Sequence, residues 1–342
     1  MCVIKNKSNN ILTYFIMSRI SRYQESISRF IKTKCSYADI LKPNSQIESI
    51  ININDHEQSI ILLTILSGQY AKKKLKKPHG YYIASGVEMM MLLVMINDNL
   101  AYYESIYSKN IIKNFITQAP IYVPECLSQH MDTLESISDK DSVSRIQLSK
   151  LYKKIHTIMV KKLLNITKYE EFKGDEKIHR TDIIRYKFSD KNLIDNKYKK
   201  LHMIDKDKLI DYVERTYGAV CQFALICAWL LGFGDEKMIN NLERLGIHLG
   251  MLIKLSHDFK NLERDLNIAS HVSTNLIINY GIHECFRLFD DSKIKLLEGC
   301  LTLDIYNITI KEVIDHIEKI FDNHLKNADL ELVSRYSSFS SI

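Results

Sequence analysis

Apolar residues recur at three- and four-residue spacing through five long stretches: Ile83 to Tyr103, Leu209 to Leu231, Met238 to Leu266, Val272 to Phe289 and Ile310 to Leu325. That period marks helices with one face turned to a core. Alternating, strand-like runs are few. Two segments, Val87 to Ile96 and Ala219 to Leu231, are almost wholly apolar, which places each inside a bundle and buried on all sides. Two such central helices, each with polar residues at one end, are what a cavity within a bundle requires. All four prolines, Pro43, Pro78, Pro120 and Pro124, precede residue 125, so no obligatory breaker interrupts the remainder. The pattern predicts an all-α, single-domain helical bundle around a central apolar cavity, with no separate β domain. Residues 1–45 read as an N-terminal extension with the first helix, and 46–342 as the α domain. The polar stretches Glu135 to Arg145 and Tyr169 to Lys200 read as loops or solvated helix ends.

Composition narrows the class without naming a function. The chain has 342 residues, 46% hydrophobic and 26% charged, which excludes disordered and collagen-like proteins. One helical domain with a large cavity reaches this length. A net charge of +6 over 47 basic and 41 acidic residues suits small anionic ligands at least as well as nucleic acid, and no nucleic-acid partner is expected. Seven cysteines, odd in number and without paired spacing, fit a reducing, cytoplasmic compartment. No run of 18 apolar residues appears, so no membrane span is expected. The apolar run Ile11 to Met17 is followed by Arg19 rather than a small-residue cleavage site, so no signal peptide is expected. Heavy use of Ile, Lys and Asn points to an AT-rich genome, such as that of a protist or a large DNA virus.

Three constellations can carry chemistry. Asp98, Asn99 and Glu104 directly follow the buried run that begins at Glu88. Six residues apart, Asp98 and Glu104 share a face only if the helix breaks or ends between them; an ordinary polar C-terminal turn is the alternative. His257, Asn261 and Asp265 stand four residues apart, drift about 40° per step and line one stripe able to hold a cation. Asp258, Lys254 and Arg264 flank them; a solvated helix face is the alternative. The third constellation is basic: Arg215, before the second buried helix, and Arg335 with Tyr336 near the C-terminus. A planar guanidinium fork suits diphosphate oxygens. The run Lys72 to Lys77 reads better as a solvated loop.

In this order and spacing, over about Ile50 to Tyr336, these segments resemble the class I isoprenoid synthases, the terpene cyclases and trans-prenyltransferases. Glu88 with Asp98, Asn99 and Glu104 resembles the aspartate-rich motif, with Asn and Glu substituted for Asp. His257-Asp258-x-x-Asn261-x-x-x-Asp265 resembles the second metal triad. Arg215 falls near the family's diphosphate-sensing arginine. Tyr217-Gly218-Ala219 falls at the helix break, where a backbone carbonyl faces the cavity. Arg335-Tyr336 falls near the cyclases' Arg-Tyr pair. The upstream basic segment of the prenyltransferases is replaced by Asn52-Ile53-Asn54-Asp55-His56-Glu57-Gln58, and only Lys109 survives of the basic group after the aspartates.

The resemblance implies the class I isoprenoid synthase fold and, first, a terpene cyclase that ionises a geranyl, farnesyl or geranylgeranyl diphosphate. A chain-elongating prenyl diphosphate synthase and a non-catalytic isoprenoid-fold binding protein are the alternatives. It implies Mg²⁺ held by Asp98, Glu104, His257, Asn261 and Asp265, weakly or dispensably because neutral Asn99 and His257 replace family ligands. Diphosphate contacts fall to Arg215, Lys254, Arg264, Arg335 and Tyr336, with a protonated His257 as a further cation. Gly218 is counted with the catalytic set. Met91, Met95, Phe223, Cys227 and Trp229 are expected to line the cavity, where aromatic faces stabilise a carbocation. The expected partners are a prenyl diphosphate and, as a homodimer, a second copy.

Overall fold

The computed structural model describes residues 19–34, 55–72, 80–138, 145–167, 175–178, 200–268 and 273–325. Among them the chain forms twelve α-helices: α1 (Arg19–Lys34), α2 (Glu57–Lys72), α3 (Tyr81–Asp98), α4 (Leu100–Ile106), α5 (Lys109–Ser138), α6 (Arg145–Thr167), α7 (Lys206–Val213), α8 (Ala219–Leu231), α9 (Ile239–Ile268), α10 (Leu276–Tyr280), α11 (Ile282–Thr302) and α12 (Ile308–Leu325). One antiparallel ribbon, β1 (Asp175–Ile178) with β2 (Lys200–Met203), pairs Asp175 with Met203 and Ile178 with Lys200. The sequence pattern did not foretell it. The architecture is all-α, as expected. The run Lys73 to Lys77 and the pair Arg335 and Tyr336 lie outside the described residues.

The two apolar helices occupy the centre. Every residue of α3 from Ile83 to Ile96 and every residue of α8 is buried. The helix α8 packs against α2 and α9, and α3 packs against α5. The contact of α9 with α8 and the segment before it depends on missing side chains. A Cβ at Gly250 would lie 2.5 Å from the Gly218 nitrogen, and one at Gly246 would lie 2.5 Å from the Gln222 backbone. These glycines, four apart on α9, form a groove into which the neighbouring backbone sinks. Beyond it, Phe321 of α12 meets Phe289 of α11 with ring centroids 4.1 Å apart and Phe259 of α9 at 4.3 Å. Offset and edge-on aromatic contacts of this kind tie three helices together.

Two prolines expected to limit helices do not do so. Pro120 and Pro124 lie inside α5, which runs for 30 residues. Both lack an N–H, but Phe115, Ala119, Val123, Cys126 and Leu127 are buried along the same helix, and α5 packs closely on α3. Burial of that face outweighs the local penalty, about 3 kcal/mol per internal proline.

Candidate functional site

The polar ends of the central helices converge on Asp98. The helix α3 ends there, and α4 leaves at 94° after Asn99. This turn delivers the last carboxylate of an otherwise apolar helix to the middle of α9. Asp98 Oδ2 accepts from Lys254 Nζ at 2.7 Å and from the Tyr217 hydroxyl at 3.1 Å. Its Oδ1 accepts from Thr274 Oγ1 at 2.6 Å and from the Tyr212 hydroxyl at 3.1 Å. A carboxylate offers about four lone-pair sites, and all four are used. Burial pushes the Asp98 carboxyl upward, but Lys254 and these hydrogen bonds outweigh it and hold it below the ordinary carboxylate range.

Lys254 is itself buried, with 1% of its surface exposed, and is shared with Asp258 Oδ1 at 2.8 Å. Burial opposes its charge, yet the two carboxylates raise its affinity for the proton above that of a free lysine. The other Asp258 oxygen accepts the Leu276 backbone N–H at 2.8 Å, at the start of α10. Burial, with the Asp98 charge adding to it, pushes Asp258 up to about 7 despite Lys254. Eleven residues beyond Lys254 on α9, about 20° off the same line, Asp265 receives Arg264 Nε at 3.0 Å and Asn275 Nδ2 at 2.9 Å. Asn275 also caps α10 through its side-chain oxygen and donates to the Asp258 carbonyl. Arg264 closes the circuit to the first motif: its Nη2 donates to Asn99 Oδ1 at 3.0 Å, and its guanidinium lies 4.1 Å from the Tyr102 ring centroid.

The structure therefore brings Asp98, Asn99, Lys254, Asp258, Arg264 and Asp265 together, through direct ion pairs and hydrogen bonds. Tyr212, Thr274 and Asn275 join them, unmarked by any spacing rule in the sequence, as does Tyr217, which the sequence marked only by its place beside the expected helix break. Glu104 does not join. It is half-buried on α4 and pairs with Lys109 at 3.6 Å, because the turn at Asn99 sends α4 away. His257 is buried against the Tyr217 ring, 6.0 Å between centroids. Burial lowers its pKa to about 4, so the protonated His257 expected from the sequence is corrected to a neutral imidazole at neutral pH. Asn261 is half-buried on the same helix.

Arg215 lies in a π turn, Glu214–Gly218, and its Nη2 meets Asp211 Oδ2 at 2.5 Å. The expected break at Gly218 is this π turn instead: helix continues on both sides, with Gly218 and Ala219 in right-handed helical conformation. Met91, Met95, Phe223, Cys227 and Trp229 all belong to the buried core. The Trp229 indole N–H donates to the Asp235 carbonyl at 2.9 Å, so its polar edge caps a turn.

A Mg²⁺ cluster joining the two motifs requires carboxylate oxygens free to face the ions. Here an ammonium stands between Asp98 and Asp258, a guanidinium stands on Asp265, and the lone pairs of Asp98 are taken. These residues do not fit the Mg²⁺ cluster that the resemblance implies. Among the described residues no single helix is long and apolar enough to cross a membrane.

No protein-family model matches the chain, and no curated protein matches it. Solved structures do. A geranylgeranyl pyrophosphate synthetase from the archaeon Geoglobus acetivorans superposes with a TM-score of 0.51 over 89% of this chain and 98% of its own, at 9% identity. An FPP/GFPP synthase from Zymomonas mobilis gives 0.49 over 88% and 98%, at 10% identity. The geranyl diphosphate synthase small subunit from Antirrhinum majus gives 0.47 over 88% and 100%, at 14% identity. The archaeal likeness establishes a shared fold, the all-α isoprenoid synthase fold.

Proposed function

We propose that this chain uses the isoprenoid synthase fold to bind a prenyl diphosphate or related isoprenoid without ionising it through a metal cluster. One observation carries the reading: Lys254 Nζ lies 2.7 Å from Asp98 and 2.8 Å from Asp258. An internal cation neutralises the carboxylates that an active enzyme of this kind would keep for Mg²⁺. Leaving-group charge must be stabilised where it develops, and the buried side chains that meet here already satisfy one another. Arg264 already holds Asp265 and Asn99, and Arg215 holds Asp211, so an anionic head group has to compete with these partners for either cation. Cytoplasmic location and a homodimer belong to the same proposal, the latter open to light scattering.

A second reading, a chain-elongating prenyl diphosphate synthase, is favoured by one specific observation: the fold is shared with the archaeal synthetase over 89% of this chain. The terpene cyclase reading has less support, because it rested on Arg335 and Tyr336, outside the described residues, and on a metal triad whose Asp265 is bound to Arg264.

The deciding experiment incubates the purified chain with farnesyl or geranylgeranyl diphosphate, with and without isopentenyl diphosphate and Mg²⁺. Extracts are examined by mass spectrometry, and binding is followed by calorimetry. Binding without product, with or without Mg²⁺, is the expected result. Longer diphosphates formed only with isopentenyl diphosphate establish the second reading, and hydrocarbons from the allylic substrate alone restore the cyclase. Absence of binding removes the proposal.

A further inference from the structure

A second polar cluster lies at the N-terminal end of α2 and uses none of the residues around Lys254. Asp55 and Glu57 flank His56, whose φ of 62° turns the chain through the left-handed region just before the helix. His56 turns both ring nitrogens to partners: Nδ1 lies 2.8 Å from Glu88 Oε2, at ion-pair distance, and Nε2 shares a hydrogen bond of 3.0 Å with Ser28 Oγ. The other Glu88 oxygen accepts from Gln58 Nε2 at 3.0 Å. The buried acid of α3 is thus consumed in fastening this turn, and the carboxylates on either side of His56 are left to act together.

They meet His316 of α12, the helix packed along α2. One ligand-capable atom from each of Asp55, Glu57 and His316 lies within 4.8 Å of the others. Glu57 is only 2% exposed, and its Oε2 is buried with no hydrogen-bond partner among the described residues; the same holds for His316 Nε2. A buried carboxylate oxygen without a donor is costly unless something compensates it. Asp55 and His316 are half-buried, so the cluster opens towards solvent on one side. The charged groups acting on His316 are Asp55, Lys319 and Lys260.

We propose that Asp55, Glu57 and His316 form a binding site for a divalent transition-metal ion, with zinc the best match to one imidazole and two carboxylates. Zinc takes both imidazole nitrogen and carboxylate oxygen as ligands and binds at three-ligand sites with one open position, while the imidazole nitrogen disfavours Mg²⁺ and Ca²⁺, which take oxygen ligands. Bound there, the ion joins α12 to the start of α2 and gives the unpartnered Glu57 Oε2 a partner. The positive end of α2 and the two lysines oppose a cation, so the site is expected to bind more weakly than a four-ligand structural zinc site.

The test is direct on the full chain. Protein stripped with chelator is dialysed against Zn²⁺ and its metal content measured. Titration with Co²⁺ follows the visible absorption of a nitrogen- and oxygen-ligated ion. Wild type is compared with Asp55→Asn, Glu57→Gln and His316→Asn. The expected result is one equivalent in wild type, at least tenfold weaker in each variant, and a zinc-dependent rise in melting temperature that the variants lose. His316 and Asp55 are half-buried, so their variants fold even if the Glu57 variant does not. No bound zinc in wild type, or an equivalent that persists unchanged in His316→Asn and Asp55→Asn, overturns the proposal. The outcome is independent of whether the chain binds or converts a prenyl diphosphate.

Discussion

Lys254 and Asp98, 156 residues apart in sequence, meet at 2.7 Å in a site where their side chains are 1% and 2% exposed. The pair holds the end of one central helix against the middle of another. Removing the lysine leaves Asp98 and Asp258 buried together without their cation, and breaking a buried pair of this kind costs about 3 to 5 kcal/mol.

Lys254→Gln is therefore expected to lower stability by that amount in urea titrations without metal. Because the substitution also removes the cation that occupies the motif, millimolar Mg²⁺ is expected to restore part of the loss in the variant and to leave wild type unchanged. A loss below about 1 kcal/mol would show that the bridge contributes only as a surface pair does. Equal Mg²⁺ responses in both proteins would remove the charge-replacement argument.

The groove between α9 and the π turn gives a paired prediction. At Gly250 the atoms that a Cβ would meet, at 2.5 to 2.7 Å, all belong to the Gly218 and Tyr217 backbone, so no side chain can swing aside and the helices must part. Gly250→Ala is expected to cost about 1 to 3 kcal/mol or more. At Gly68, inside α2, nothing lies within 4 Å of the same added atom. There the alanine only improves helix propensity, and Gly68→Ala is expected to gain about 0.5 to 1 kcal/mol. Thermal or urea unfolding of the two variants, read for opposite signs, checks the packing.

How far this was legible follows from the range over which each feature is encoded. Helical periodicity is local, and the stretches from Leu209 and from Ile310 became α7 to α8 and α12 within a few residues. The apolar runs were read correctly as central because their composition alone forbids a solvent face. Asp98, Lys254, Arg264 and Asp265 stood out by type and spacing. What could not be read was which of them would pair, since the Lys254 to Asp98 contact depends on the 94° turn at Asn99 and on the depth to which α9 sinks at Gly250. His316 gave no sequence signal at all, because its partners Asp55 and Glu57 lie some 260 positions away in the chain. The prolines of α5 misled for the converse reason: a local penalty was overridden by packing that only the tertiary structure supplies.

The aromatic joint of α9, α11 and α12 centres on Phe321, fully buried and in ring contact with Phe259, Phe286 and Phe289. Phe321→Ala removes the ring common to all three contacts and is expected to cost about 3 to 5 kcal/mol. Phe321→Leu, which keeps most of the volume, is expected to cost less than half as much. Equal losses in the two variants by urea unfolding would mean the joint is loosely packed.

Acid stability turns on His130 of α5. It is completely buried, both ring nitrogens lack a hydrogen-bond partner among the described residues, and burial lowers its pKa from 6.5 to about 4. The unfolded chain therefore takes up a proton on this ring as pH falls through about 6.5, while the folded protein resists until about 4. With more protons bound in the unfolded state, stability rises with pH across that window, so acidification from 6.5 to 4 removes it. The shift corresponds to about 3 kcal/mol, with no contribution from His130 to the pH dependence above the window. His257, buried with its pKa likewise lowered to about 4, acts in the same direction, and the carboxylates of the Lys254 cluster titrate nearby, so the wild-type profile alone does not isolate His130. The difference between wild type and His130→Leu does. Urea unfolding at pH 7.5, 6.5, 5.5 and 4.5 is expected to show that difference moving in favour of the leucine variant by about 2.5 kcal/mol as pH falls, whatever its value at neutral pH. A difference that stays constant over the four conditions would mean that His130 reaches a proton acceptor or water when folded, and the argument from burial would fail.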